Sequence, residues 1–224
     1  CGINTPEAMT AAVKHGAAHV GLVFFPKSPR YVTPEEAAML AARVPAQVNV
    51  VGLFVNPDDA LLDRVLEAVP LDIIQLHGSE SPERCAAIKS RTGRQVMKVI
   101  SVCEETDIAR AADYEKICDW LMFDAKAPEG ADRPGGNAVA FDWTLLTGKR
   151  WDLPWMLAGG LTPGNVRDAI ALTGAPQGKF HVFRDAKGIA RVHRGLGDVH
   201  MVQRAKDGRL VPVHHHRVPL LLQP

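Results

Sequence analysis

The sequence predicts an α/β protein on a parallel sheet, closed as a (β/α)8 barrel rather than opened as a doubly wound sheet. Two observations lead there. A helix-start pattern recurs along the chain, and apolar runs of strand type lie between the recurrences. A third separates the two closures. No G-x-G-x-x-G or G-x-x-x-x-G-K-[ST] loop opens a helix, which weakens the open, nucleotide-binding sheet.

The helix starts share one chemistry. Thr5-Pro6-Glu7, Thr33-Pro34-Glu35, Asn56-Pro57-Asp58, Ser81-Pro82-Glu83 and Thr162-Pro163-Gly164 each place a capping side chain before a proline in the first turn. Four of them add an acid near the positive end of the helix dipole. The first four starts are 28, 23 and 25 residues apart, and the last follows after 81, close to three more such units.

The strand candidates come in the same rhythm. HVGLVFF ends at Phe25, VNVVGLF at Phe54, LDIIQLH at His77, QVMKVIS at Ser101, DWLMFD at Asp124 and PWMLAGG at Gly160. Their nearly continuous apolar character is that of parallel strands covered on both faces. Helical patterns such as PEEAAMLAARV and PDDALLDRVLEAV follow them. Six visible strands, one expected before Cys1 and one due after residue 175 give a barrel count. In a barrel the chemistry sits on loops at the carboxyl ends of the strands.

Composition sets outer limits. Apolar residues make up 46% and charged residues 23%, and no apolar run reaches the roughly 18–20 residues of a membrane helix. Cys1, Cys85, Cys103 and Cys118 are scattered, without metal-type pairs or a disulfide framework, which fits a reducing cytoplasm. The net charge of +1 hides a step. Residues 177–224 hold nine Lys/Arg against three Asp/Glu and six of the nine histidines, so that 1–176 carries −5 and the remainder +6. Residues 1–176 therefore read as the barrel domain, and 177–224 as a basic, His-rich tail of another character. His214-His215-His216 lacks the spacing of a folded zinc site. The tail has little aromatic interleaving for base stacking, which argues against a nucleic-acid partner.

The strand ends, read in order, are Cys1-Gly2, FFPKSPR at 24–30, QLHG at 75–78, FDAK at 123–126, PGGN at 134–137 and LAGGLTPGNV at 157–166. In order and spacing this set resembles the phosphoribosylanthranilate isomerase family. That family shows K-[IV]-C-G-[IL], G-x-x-F-x-x-x-S-P-R, Q-L-H-G, an aspartate ending a later strand, G-G-[TN]-G and L-A-G-G-L-x-x-x-N-V. The likeness covers residues 1 to about 175. Ala138 departs from it at the last glycine of G-G-[TN]-G.

The resemblance implies an Amadori rearrangement of N-(5-phosphoribosyl)anthranilate to 1-(2-carboxyphenylamino)-1-deoxyribulose 5-phosphate, without metal or organic cofactor. Asp124 matches the family's general acid and Cys1 its general base. Arg30 matches the arginine facing the anthranilate moiety, where a planar guanidinium suits a carboxylate. Gln75 and His77 match active-site positions, and Gly159 and Gly160 the phosphate loop, where backbone amides can approach closely. The resemblance implies a phosphorylated small-molecule substrate and no membrane or nucleic-acid partner. It leaves open a fusion or association with other tryptophan-pathway enzymes. An aspartate donating a proton near neutrality needs burial to raise its pKa from about 3.9, and the apolar WLMF before Asp124 offers it.

Beyond Pro176 the family pattern V-D-[VL]-S-S-G-V-E has no counterpart. The barrel is therefore expected to be incomplete at both ends, with its first and eighth strands absent or not recognisable. Two other readings stand beside the isomerase. One is an inactive remnant of that enzyme, truncated or frame-shifted. The other is a different phosphate-binding barrel such as indole-glycerol-phosphate synthase, which would want a lysine general acid at a strand end.

Overall fold

The computed structural model describes residues 1–127, 130, 140–161 and 164–174, together with the backbone of 191–194, 198–204 and 210–212. Helices and strands alternate: α1 (Pro6–Lys14), β1 (His19–Val23), α2 (Pro34–Ala41), β2 (Asn49–Phe54), α3 (Asp59–Ala68), β3 (Ile73–Leu76), α4 (Pro82–Thr92) and β4 (Gln95–Val102). Two short helices follow, α5 (Glu105–Ala109) and α6 (Ala111–Glu115), then β5 (Trp120–Ala125), a 3-10 turn (Trp143–Leu146), β6 (Trp155–Leu157) and α7 (Val166–Thr173). Strands β7 (Arg191–Arg194), β8 (Asp198–Arg204) and β9 (Leu210–Pro212) come last.

The first six strands form one sheet in sequence order, every neighbour parallel. That sheet is curled. The rings of His19 on β1 and Trp120 on β5 meet at 5.4 Å between centroids. In a flat sheet, strands four places apart stand about 19 Å apart at about 4.8 Å each. The curl brings β5 round toward β1, as in a barrel wall.

Residue alternation sorts the core into two layers. Val51, Ile73, Met97, Val99, Met122, Met156 and Ala158 fill the inside of the curl. Their strand neighbours Val50, Ile74, Val96, Ile100, Leu121, Phe123 and Leu157 pack outward beneath the helices. Aspartates tie the amino ends together: Asp72, before β3, accepts from Val50 N at 2.7 Å, and Asp119, before β5, accepts from Val96 N at 2.9 Å.

Three of the expected helix starts are caps. Thr5, Thr33 and Ser81 accept from the amides of Ala8, Glu36 and Arg84, with proline in the first turn of each helix. Asn56-Pro57-Asp58 is a correction. The cap there is Asp58, which accepts from Leu61 N at 2.7 Å, and α3 begins at Asp59. Asn56 instead has φ +46 and reaches across to Ser79, whose amide donates to Asn56 Oδ1 at 2.9 Å. Helix α7 starts at Val166, with Asn165 at its cap position; Thr162 and Pro163 lie outside the described residues, as do residues 134–137 and Ala138. The last expected strand, read to Gly160, is only the three residues of β6, after which the chain turns at Gly159 and Gly160. Cys118 stands just ahead of β5.

Strands β7, β8 and β9 pair antiparallel with one another. Among the described residues they make no ladder with the six-stranded sheet. The described residues contain no helix long and apolar enough to cross a membrane.

Candidate active site

The carboxyl ends of β3 and β5, and the segments following β1 and β6, bring most of the expected site residues together. β5 runs apolar through Leu121, Met122 and Phe123, then presents Asp124 on the same inward face as Met122. Asp124 is only 8% exposed. Its Oδ1 accepts from Ala125 N at 2.9 Å. Burial raises its pKa to about 6, against smaller opposing pulls from that amide and from the Arg30 guanidinium. The apolar strand supplies the desolvation that the sequence foreshadows.

His77 follows β3 directly, and its Nε2 stands 3.5 Å from Asp124 Oδ2. Burial first, then the positive charges of Lys98 and Arg30, lower its pKa to about 3. The imidazole is therefore neutral near pH 7 and meets Asp124 as a dipole. Gln75, two residues earlier on the same face, is buried. Gln75 Oε1 and His77 Nε2 have no hydrogen-bond partner among the described residues.

Cys1 lies beside β1. Gly2 N and Ile3 N both donate to Gly21 O, at 2.8 and 2.9 Å, and the Cys1 thiol rests over Gly21, where an added Cβ would come within 2.6 Å of Sγ. Arg30 leaves the turn after β1, its amide donating to Ser28 Oγ at 3.2 Å. Its side chain crosses Gly2 so closely that a Cβ there would meet Arg30 Cδ at 2.5 Å. From that position its charge acts on both His77 and Asp124.

Gly159 and Gly160 have φ of +80 and +62, and their neighbours are specific. A Cβ on Gly159 would fall 2.6 Å from Ala125 N and 2.9 Å from Asp124 Oδ1. One on Gly160 would fall 2.5 Å from Ala140 Cβ, and the Gly160 carbonyl accepts from Asn165 Nδ2 at 3.1 Å. Gly159 thus packs against the carboxyl group itself, a role the pattern of two glycines did not announce.

Two residues escaped the sequence reading. Lys98 and Glu80 form a buried ion pair behind His77. The available signal was a lysine inside the apolar run QVMKVIS. Among the described residues no three His, Cys, Asp or Glu side chains are grouped to hold a metal ion.

A curled parallel sheet with a buried, high-pKa aspartate and a neutral histidine at its carboxyl rim defines a β/α-barrel protein equipped for proton transfer. Comparison with known proteins gives the family. The model of the N-(5'phosphoribosyl)anthranilate (PRA) isomerase family matches residues 1–178, and the chain belongs to that family. It is 58% identical over 176 residues to the N-(5'-phosphoribosyl)anthranilate isomerase of Rhodospirillum centenum, covering 78% of this chain and 82% of the relative. It is 57% identical over 175 residues to that of Paramagnetospirillum magneticum, covering 78% and 81%. The crystal structure of phosphoribosyl anthranilate isomerase from Thermotoga maritima matches with a TM-score of 0.69 at 38% identity, over 78% of this chain and 82% of that one. A phosphoribosyl anthranilate isomerase in complex with reduced 1-(o-carboxyphenylamino)-1-deoxyribulose 5-phosphate matches with a TM-score of 0.68 at 32% identity, over 84% and 86%. The fold is the (β/α)8 class of these relatives.

Proposed function

We propose that the chain isomerises N-(5'-phosphoribosyl)anthranilate in tryptophan biosynthesis, with Asp124 as general acid and Cys1 as general base. The observation that carries the reading is Asp124. It is buried at the carboxyl rim, its pKa is raised to about 6, and the family resemblance gives it the part of the general acid. A carboxyl group of that pKa still holds its proton in a useful fraction of molecules near neutrality.

The reaction needs two proton transfers. The Asp124 carboxyl gives its proton to the furanose ring oxygen, the C1–O bond breaks, and the nitrogen lone pair forms the iminium ion. The Cys1 thiolate then takes the proton from C2, and those electrons make the enolamine, which tautomerises to the ketone. Arg30, whose charge reaches both His77 and Asp124, is suited to the anthranilate carboxylate. Neutral His77 and Gln75 offer hydrogen-bonding groups on the lumen side without competing for the proton. Gly159 and Gly160, ahead of α7, suit the phosphate.

In this reading residues 1–176 are the barrel domain that carries the chemistry, and the basic, His-rich 177–224 are a tail that is not a barrel element. The pathway and the four free cysteines support a cytoplasmic setting, where association with neighbouring enzymes of the pathway would be sought. The test is the loss of the substrate's anthranilate-type fluorescence. Turnover by the full chain, reduced about a hundredfold or more in Asp124→Asn, is expected. Equal turnover by both proteins would remove Asp124 from the mechanism.

A further inference from the structure

Directly behind His77, on the helix side of the sheet, lies the buried pair that the proton chemistry leaves unused. Lys98 of β4 sits between the lumen residues Met97 and Val99 and so points the opposite way. Its Nζ is 2.7 Å from Glu80 Oε2, and the two side chains are 3% and 1% exposed. Removing two charges from water to this degree is unfavourable by several kcal/mol per ion unless hydrogen bonds complete the site. Here they do, and their direction is informative.

Lys98 Nζ donates to Gly78 O at 2.7 Å and reaches Leu76 O at 3.5 Å. Glu80 accepts the Gly78 amide on both oxygens, at 3.1 and 3.0 Å, and the Asn56 amide at 2.8 Å. The Tyr114 hydroxyl donates to the Glu80 carbonyl at 2.9 Å, and Lys98 Nζ stands 5.6 Å from the centre of the same ring. These contacts hold the backbone immediately before and immediately after His77. The His77 amide itself donates to Phe54 O at 2.9 Å, on the neighbouring strand. An apolar pair of equal volume would fill the space but could not grip both the amide and the carbonyl of Gly78.

We propose that Glu80 and Lys98 are positioning residues, a buried pair that locks the turn after β3 and thereby fixes the His77 imidazole at the Asp124 carboxyl. The inference rests on the isomerase reading only for its kinetic consequence. The titratable groups around the pair are Tyr114 of α6, Cys85 of α4 and Cys118 ahead of β5, with Arg84, Arg110 and Asp119 acting on those neighbours. Those facing His77 are Asp124, Arg30 and Lys98.

The experiment compares wild type, Glu80→Gln and Lys98→Met by two measurements, below the unfolding midpoint of each protein. The first is kinetic. Displacing a site group by about 1 Å can lower rate a hundredfold, so kcat is expected to fall about ten- to hundredfold while KM changes less than about threefold. The second needs no turnover. The His77 ring nitrogen signal, assigned by its loss in His77→Gln, should report Asp124 ionisation with a step near pH 6 in wild type. In the variants that step should shrink to less than about half, because the ring no longer holds its place beside the carboxyl. A folded variant that keeps the full step, or keeps kcat within about twofold, overturns the positioning role. If neither variant folds, Tyr114→Phe removes the hydroxyl's bonds to the Glu80 carbonyl and to Arg110 while leaving the Lys98–Glu80 pair intact, and a smaller change of the same two kinds decides. A wild-type protein that shows the step without turnover would refute the isomerase reading, and the ring signal alone would then judge the positioning role.

Discussion

His77 Nε2 lies 3.5 Å from Asp124 Oδ2 although β4 runs between the strands that carry them. Two strands apart in a flat sheet the backbones would be about 9.6 Å distant, and both side chains would rise in parallel. The curl of the sheet tilts them together. One ring is held neutral and one carboxyl is held protonatable, by the same burial acting on groups of opposite charge type.

The Asp124 titration is the most direct check on that arrangement. Its carboxyl carbon signal should move with a midpoint near pH 6 rather than near the ordinary 3.8. Arg30 pulls the value down, since its positive charge favours the carboxylate. Arg30→Met should therefore shift the midpoint upward. A midpoint that stays put, or falls, would show that the guanidinium does not act on Asp124.

How much of this the sequence disclosed depends on the range of the interaction. The Asp124 position was legible through the family resemblance, and its burial through the apolar WLMF just before it; the face it takes follows from the period of two along β5. The Thr33 and Ser81 caps were legible because everything they bond lies within three residues. Asn56-Pro57-Asp58 carries the same local pattern yet behaves otherwise. Its amide is recruited by Glu80, and its side-chain oxygen by Ser79, from the next strand-to-helix turn. The lysine in QVMKVIS stood out, but its pairing with Glu80, 18 residues away, was hidden for the same reason. Only the paired β3 and β4 bring them together.

That contrast makes a stability prediction. Thr33 and Glu36 exchange hydrogen bonds at 3.2 and 2.8 Å on the surface, so Thr33→Ala should cost about 1 kcal/mol in chemical denaturation and leave kcat unchanged. Asn56→Ala removes the bonds to Ser79 and places alanine at φ +46, so it should disturb the turn after His77 as well. Its effect is expected in kcat as well as in stability. Two substitutions with the same kinetic profile would mean that the Asn56 bridge does not reach the site.

His19 predicts acid sensitivity at the opposite end of the barrel. Its Nε2 accepts from Asn49 Nδ2 at 3.1 Å and its ring stands edge-on to Trp120. Burial, against a weaker upward pull from Asp72, lowers its pKa from 6.5 to about 4. A depressed histidine is neutral in the folded protein where the unfolded chain already binds a proton. Its contribution is complete above pH 6.5 and is lost as pH falls toward 4. Protonation would also turn the accepting Nε2 into a donor facing Asn49. The stability gap between wild type and His19→Gln should therefore narrow over that interval, and parallel stability curves would refute the assignment.

Gly159 offers a test that separates backbone strain from damage to the site. At φ +80 any residue with a Cβ is strained, by about 1–2 kcal/mol. At Gly93, the cap of α4 at φ +63, a substituted alanine would carry a comparable strain, but its Cβ would meet nothing within 4 Å. Gly93→Ala should lose about that much stability and keep its kcat. Gly159→Ala must also push a methyl group to within 2.6 Å of Ala125 N and 2.9 Å of Asp124 Oδ1. Neither neighbour can yield cheaply, because one is backbone and the other is held by the Ala125 amide. The carboxyl group has to turn or the loop has to lift. Gly159→Ala is thus expected to lose more stability than Gly93→Ala and at least about tenfold in kcat, with the Asp124 midpoint displaced from about 6. Equal losses in the two variants, with kcat preserved in both, would reduce Gly159 to an ordinary turn residue.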